Sequence, residues 1–317
     1  MWLQNVEIGG IVMNKNAKKP LLFIGLTFLV NWVLAGLFFA FGGEIGGVEG
    51  RGMLIIYMFL PMVVAIIVQK FIYREHLKKP LGISFKLNRW FLVAWLLPPV
   101  IAFAAFGVSL LFPGVEYSPE MTGMAERLQQ SVLTTPEQFI QMQSQFAAFP
   151  VHPIWIFLLI WLVAGLTINA LFGFGEELGW RGLLQREFGY MSFWKSSAII
   201  GFIWGIWHAP IVLLGYNYPN YPVVGIFMMT ILTLLLSPIF SYIRLKAKSV
   251  IAASVIHGSF NATAGLSFVM LKGGSELTVG VLGLAGFIVL LIANFCIFFF
   301  DKSVRRRPVD AIMEDIK

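Results

Sequence analysis

Apolar residues run along this chain in long blocks that short polar segments separate. A helix that crosses a membrane needs about 20 mostly apolar residues, and eight stretches reach that length. They are residues 20–42, 53–73, 90–112, 153–173, 196–214, 223–243, 249–271 and 278–300. The pattern predicts an all-α fold, a polytopic membrane helix bundle with about eight transmembrane helices.

The polar segments divide the chain into a membrane domain with a short extension at each end. Residues 1–19 form an N-terminal segment, residues 20–300 one eight-span membrane domain, and residues 301–317 a basic tail. Only the loop 113–152 is long enough to fold by itself. We therefore expect one compact bundle rather than two domains.

The loop 113–152 contains the sequence TTPEQFIQMQSQF, which has the pattern of a capped helix. Thr135 precedes Pro136 in the first turn, and Phe139, Met142 and Phe146 recur at helical spacing. These residues predict an amphipathic helix outside the membrane, lying on lipid or covering the bundle.

Composition supports the membrane assignment. Hydrophobic residues make up 58% of the chain and charged residues only 12%, which excludes an ordinary soluble domain. Cys296 is the only cysteine and lies inside the last predicted span, so neither an intramolecular disulfide nor a thiolate metal cluster can form.

The distribution of positive charge predicts the orientation. Short cytoplasmic loops collect Lys and Arg, and with both termini inside, 20 of the 23 Lys and Arg residues fall on the cytoplasmic side. Arg51, Arg127 and Lys272 remain outside. We predict an integral protein of the cell membrane whose net charge of +7 reflects topology and contact with anionic lipid, with no nucleic-acid partner.

Ionisable groups in or next to the apolar spans are few, and the candidates lie between residues 170 and 261. Burying a charge in the bilayer costs roughly 2.5 kcal/mol or more, so such groups are candidates for function. They are Glu176, Glu177, Arg181, His208 and His257, with Asn261 as an accompanying amide.

Helical spacing separates the roles of the two adjacent glutamates. Glu177 and Arg181 are four residues apart and share a helix face, which predicts an ion pair. Glu176 points about 140° away from Arg181 at 100° per residue. We expect Glu177 to be the structural partner of Arg181 and Glu176 to be the free carboxylate.

Two further pairs have the same spacing. Trp204 and His208 lie four residues apart, as do His257 and Asn261, so each pair shares a helix face. We expect the indole to orient the imidazole, and Glu176 to meet these groups in a polar pocket open to the cytoplasmic side.

Each of these groups also permits a structural interpretation. The ion pair can serve stability alone, and one histidine or amide in a membrane often bonds a neighbouring helix. Glu176, His208 and His257 can also serve as three zinc ligands with an open fourth position, although no HExxH sequence supports this. His76 and His152 lie in loops without such neighbours.

The motifs resemble those of a known family. EELGWR at residues 176–181 fits EExxxR, WGIWH at 204–208 occupies the place of FxxxH, and HGSFN at 257–261 fits HxxxN. In this order on successive spans, they are similar to those of the CPBP intramembrane proteases. That family includes type II CAAX prenyl endopeptidases and bacteriocin-processing or immunity proteins.

The resemblance implies a role for each matched residue. Glu176 and His208 would activate the attacking water, His257 and Asn261 would hold the oxyanion, and Glu177 and Arg181 would support the site. Trp204 stands where the family usually has Phe, which leaves the substrate preference open.

We therefore expect an intramembrane endopeptidase that needs no cofactor. Its partners would be membrane lipid and a membrane-anchored peptide or protein, prenylated or not. Two alternatives stay open: a zinc-dependent variant of the same protease, and a non-catalytic immunity or scaffold protein.

Overall fold

The structure is a computed structural model that describes residues 5–8, 11–14, 17–121, 123–124, 144, 152–305 and 307–315. The amphipathic helix predicted between Thr135 and Phe146 lies outside the described residues, apart from the single residue Ser144.

The described chain is a bundle of helices with two very small sheets. The longer helices are α1 Lys18–Ala40, α2 Val48–Ile66, α3 Arg89–Ser109, α4 Pro153–Leu166, α5 Ile168–Glu177, α7 Phe193–Trp207, α9 Pro222–Ala247, α10 Val250–Thr263 and α12 Leu284–Phe300. The short helices are α6 Gln185–Glu187, α8 Ala209–Leu213, α11 Leu266–Met270 and α13 Val309–Asp315. Two π-helical segments, Ile67–Ile72 and Leu178–Leu184, directly continue α2 and α5.

Four helical stretches are long and apolar enough to cross a membrane: Lys18–Ala40, Val48–Ile72, Arg89–Ser109 and Pro222–Ala247. A fifth candidate is the pair Ile154–Leu166 and Ile168–Glu187, which bends by 42°. The apolar helix α12 is shorter, at 17 residues. These findings confirm an all-α membrane bundle, whereas the count of eight spans and the cytoplasmic termini stay predictions.

Three of the predicted spans are interrupted rather than continuous, at Thr167, at His208 and after Thr263. The break at His208 has a direct cause in the sequence. Pro210 has no N–H to bond Ile206, and its ring crowds the preceding turn, so α7 ends at Trp207 and α8 begins at Ala209. The break leaves His208 at a helix end.

Ion pairs join segments that the charge distribution places on the cytoplasmic side. Lys19 pairs with Glu75 at 2.9 Å and with Glu187 at 3.0 Å, and Arg186 pairs with Glu75 at 2.8 Å. Burial alone raises the pKa of Glu75, but the hydrogen bonds from Lys19 and Arg186 prevail and lower it.

Segments that are predicted to lie on the extracytoplasmic side also contact one another. Strand β3 Glu116–Tyr117 pairs antiparallel with β4 Leu271–Lys272. The side chain of Glu276 accepts a hydrogen bond from the backbone of Asn220 at 2.8 Å. These contacts join segments that the predicted topology assigns to the same side of the membrane.

Both chain ends contain structure that the sequence pattern did not predict. Strands β1 Asn5–Ile8 and β2 Ile11–Asn14 form an antiparallel hairpin. In the basic tail, Val309 and Ile312 are buried in a small cluster that also contains Phe193 and Leu245.

Glycines allow the helices that carry the three motifs to approach closely. A Cβ added at Gly205 would lie 2.6 Å from Thr230 Cα, and one at Gly201 would lie 2.8 Å from Thr233 O, so α7 packs backbone to backbone on α9. A Cβ at Gly173 would lie 3.1 Å from the Cβ of His257. Small residues at such contacts are typical of membrane helix packing, and here they bring α5 and α10 together.

Candidate active site

Four acidic and histidine side chains from three helices meet in the interior. Glu176 and Glu177 end α5, His208 follows α7, and His257 lies within α10. Their exposed fractions are 2%, 0%, 6% and 3%, respectively. The structure brings together six of the seven predicted site residues, since Arg181 contacts Glu177 and Trp204 contacts Glu176.

Glu177 is the structural anchor of the cluster, as its spacing predicted. Its Oε1 accepts from Arg181 Nη1 at 3.0 Å and from His257 Nδ1 at 2.9 Å. Because an ionised carboxylate can only accept, Nδ1 of His257 carries a proton. Nε2 of the same ring then points toward Glu176, at 3.9 Å from its Oε1.

Glu176 has a neutral partner that the spacing argument did not anticipate. Its Oε2 accepts from Trp204 Nε1 at 2.7 Å, so the expectation of a free carboxylate is wrong for this oxygen. Oε1 makes no direct hydrogen bond to His257, because 3.9 Å exceeds hydrogen-bonding distance. One carboxylate oxygen is thus held and the other is available.

His208 is oriented by the backbone at the end of α7. Its N–H bonds the carbonyl of Gly205 at 3.1 Å, and its Nδ1 lies 2.8 Å from the carbonyl oxygen of Trp204. A carbonyl only accepts, so Nδ1 is the protonated nitrogen and Nε2 keeps its lone pair. The ring also packs beside the Trp204 indole with centroids 5.9 Å apart, as predicted.

Trp204 contacts both Glu176 and His208, and no ion pair within 4.0 Å joins these two described residues. The indole nitrogen bonds the carboxylate, while the backbone oxygen of the same residue bonds the imidazole. The Arg181 guanidinium lies over the indole ring at 4.6 Å, a cation–π contact. The departure from Phe at position 204 therefore adds a hydrogen-bond donor to the site.

Asn261 lies apart from these contacts. It is one turn beyond His257 on α10, but its side chain is exposed and makes no hydrogen bond to the described residues. The two residues share a helix face, as their spacing predicted, and only His257 joins the buried cluster.

Sequence reasoning missed an aromatic wall on the other side of His208. Tyr57 donates its hydroxyl to the carbonyl of Trp207 at 2.7 Å, and its ring packs 4.6 Å from the Trp207 ring. The Trp207 ring lies 4.6 Å from His208. A tyrosine in an apolar span gives no spacing pattern that points to a residue 150 positions away.

The candidate zinc ligands do not form a ligand set. Within the part of the chain that the structure describes, no three His, Cys, Asp or Glu residues lie close enough together to hold a metal ion. Glu176 Oε1 lies 3.9 Å from His257 Nε2, and Trp204 contacts both Glu176 and His208.

Comparison with known proteins supports the resemblance. Residues 150–263 match the family model described as type II CAAX prenyl endopeptidase Rce1-like. The matched segment, about a third of the chain, contains all three motifs. A search of curated proteins found no match.

Proposed function

We propose that this chain, whose residues 150–263 match a family of type II CAAX prenyl endopeptidases, is an intramembrane endopeptidase of the cell membrane. It hydrolyses a peptide bond in a membrane-anchored protein or peptide, and a prenylated carboxyl-terminal segment is the first substrate class to test.

The observation that carries this proposal is the asymmetric environment of Glu176. One carboxylate oxygen is held by Trp204 at 2.7 Å, while the other faces His257 without a hydrogen bond. A carboxylate fixed in this way can accept a proton from water through Oε1 without first breaking a hydrogen bond. The lone pair on His208 Nε2 supplies a second acceptor.

In the proposed reaction, Glu176 and His208 activate a water that attacks the scissile carbonyl carbon. A C–O bond forms, a water proton passes to the acceptor, and the proton then moves to the leaving amine as the C–N bond breaks. His257 and Asn261 donate to the oxyanion of the tetrahedral intermediate. The exposed Asn261 amide is open to a bound peptide.

Charge balance supports the role of His257. With both Glu176 and Glu177 ionised, the cluster carries two negative charges, and Arg181 supplies one positive charge. A protonated His257 makes the buried cluster neutral, which lowers the cost of burying it. Its Nε2–H then becomes a charged donor beside the catalytic carboxylate, as oxyanion stabilisation requires.

The experiment is hydrolysis of a quenched-fluorescent farnesylated CaaX peptide by the detergent-purified chain. We expect Glu176→Gln to lose roughly 10²-fold or more in kcat. Its unfolding temperature should stay close to that of wild type, since Gln keeps an oxygen for Trp204. Glu49→Gln, at an exposed position, is the matched control.

A strong zinc chelator added to wild type separates the two protease mechanisms, since it should leave the rate unchanged. Full turnover by Glu176→Gln would show that the assigned base is wrong. Failure of wild type on prenylated and unprenylated membrane peptides would favour the immunity or scaffold alternative.

A further inference from the structure

Arg244 is a buried positive charge without a carboxylate partner. It lies in the last turn of α9, is 7% exposed, and its Nε has no hydrogen-bond partner. No described Asp or Glu lies within ion-pair distance of it, whereas Arg181, the other buried arginine of the described chain, has such a partner. Its guanidinium lies directly against the main chain of Gly82, where a larger residue would collide with it.

Arg244 lines a small cavity together with Arg181, Gln185, Arg186 and Leu245. The cavity has a volume of about 10 Å³, room for one water-sized group. Arg181 presents Nε and Nη2 without hydrogen-bond partners, and Gln185 Oε1 also lacks one. Several buried polar atoms of the residues that line this cavity thus lack a hydrogen-bond partner within the described residues.

The charges around the cavity leave one positive charge uncompensated. Arg181 pairs with Glu177, and Arg186 pairs with Glu75 and Glu187. Among the described residues, Arg244 has no such partner, and the helix end beside it supplies only about half a negative charge. An unpaired buried charge is strongly unfavourable, so one monovalent anion would complete the site.

We propose that Arg244 and Arg181 form a binding site for a carboxylate, which in the working protein is the free carboxyl terminus of the peptide substrate. The identity of the carboxylate as a substrate terminus rests on the proposed function, whereas the anion site itself does not. Planar guanidinium groups match a carboxylate in geometry. The cavity, about 10 Å³ in volume, has room for one oxygen of such a group.

Arg181 connects this site to the candidate active site. Its Nη1 bonds Glu177 at 3.0 Å, while Nε and Nη2 have no bond within the described structure. A peptide terminus held at Arg244 would therefore lie beside the residue that anchors the catalytic cluster. The site would select substrates by their free terminus and set the position of the scissile bond.

The first arm of the test needs no catalysis. The unfolding temperature of the purified chain is measured against acetate concentration, with chloride keeping ionic strength constant and phosphate as a second probe. We expect acetate to raise the temperature for wild type and for Arg89→Gln, an exposed-arginine control, and to have no effect on Arg244→Gln. An equal or larger effect of phosphate would overturn the carboxylate assignment.

The second arm compares the same peptide with a free carboxylate and with an amidated terminus. A charge-assisted hydrogen bond is expected to make wild type about tenfold or more selective in kcat/KM for the free acid. Arg244→Gln should lose this preference and cleave the two peptides with similar kcat/KM. An unchanged selectivity in Arg244→Gln would overturn the proposal.

A second variant covers the case in which Arg244→Gln fails to fold. Gln185→Glu places a carboxylate of the chain itself in the cavity, so it should fold and lose both the acetate effect and the preference for the free acid. Retention of either property would contradict the site. If wild type cleaves neither peptide but responds to acetate, the proposed function fails while the anion site stands.

Discussion

At the scale of single residues, Trp204 makes two contacts of different kinds. Its ring nitrogen donates to Glu176 at 2.7 Å, and its backbone oxygen accepts from His208 at 2.8 Å. A substitution can remove the first contact only, because the second belongs to the main chain. The residue thus allows the hydrogen bond to the carboxylate to be tested separately from the orientation of the imidazole.

We expect Trp204→Phe to lower kcat/KM by about 10- to 100-fold, since a hydrogen bond to a charged group contributes roughly 1.5–3 kcal/mol. The matched control is Trp207→Phe on the same helix, because the indole nitrogen of Trp207 has no hydrogen-bond partner. Steady-state kinetics of the two variants provide the measurement. Equal losses would show that ring size, and not the hydrogen bond, matters at position 204.

Residue spacing predicted the contacts that lie within one helix and few of those between helices. The pair of Glu177 with Arg181 follows from four-residue spacing and is present at 3.0 Å. The bond from Trp204 to Glu176 spans 28 residues and depends on how closely α5 approaches α7. Periodicity carries no information about that distance, so the partner of Glu176 could not be predicted.

At the scale of helices, glycine contacts set how the motifs meet. Gly205 lies between Trp204 and the end of α7, with its Cα against the backbone of Thr230 in α9. The closeness of this contact determines where the helix end, and therefore His208, is held.

We expect Gly205→Ala to lower the free energy of unfolding by about 1–3 kcal/mol, because the added Cβ would lie 2.6 Å from Thr230 Cα. Gly36→Ala is the control in an open position of α1, where nothing lies within 4 Å and Ala favours the helix. Thermal unfolding in detergent gives the comparison. A Gly205→Ala variant as stable as Gly36→Ala would contradict close packing of α7 on α9.

Helix type and approximate bounds followed from the apolar pattern, whereas the breaks did not. Hydropathy is averaged over a window and does not register one residue that changes direction, such as Thr167 with its 42° bend. Pro210 is a residue type that breaks helices, but only the structure shows that the break falls at His208. The same averaging hides the π-helical turn at Leu178–Leu184.

At the scale of the whole molecule, the predicted topology assigns every loop to one side of the membrane. Cys296 is the only cysteine, so Cys296→Ser gives a cysteine-free background for labelling. Exposed positions are available on both predicted sides, at Glu44 outside and at Lys78 and Lys302 inside.

We expect a membrane-impermeant thiol reagent to label Glu44→Cys in intact cells. Lys78→Cys and Lys302→Cys should react only after the membrane is opened, because both lie on the predicted cytoplasmic side. Mass shift on a gel is the readout. Labelling of Lys302→Cys in intact cells would require an odd number of spans.

The π-helical segment Leu178–Leu184 has a consequence for the evolution of this chain. A π turn is what an α-helix becomes when one extra residue is inserted without shifting the flanking turns. Because the π turn takes up one residue without the rotation of about 100° that a regular α-helix would impose, gain or loss of that residue during evolution leaves the relative orientation of Glu177 and Gln185, on either side of the segment, unchanged.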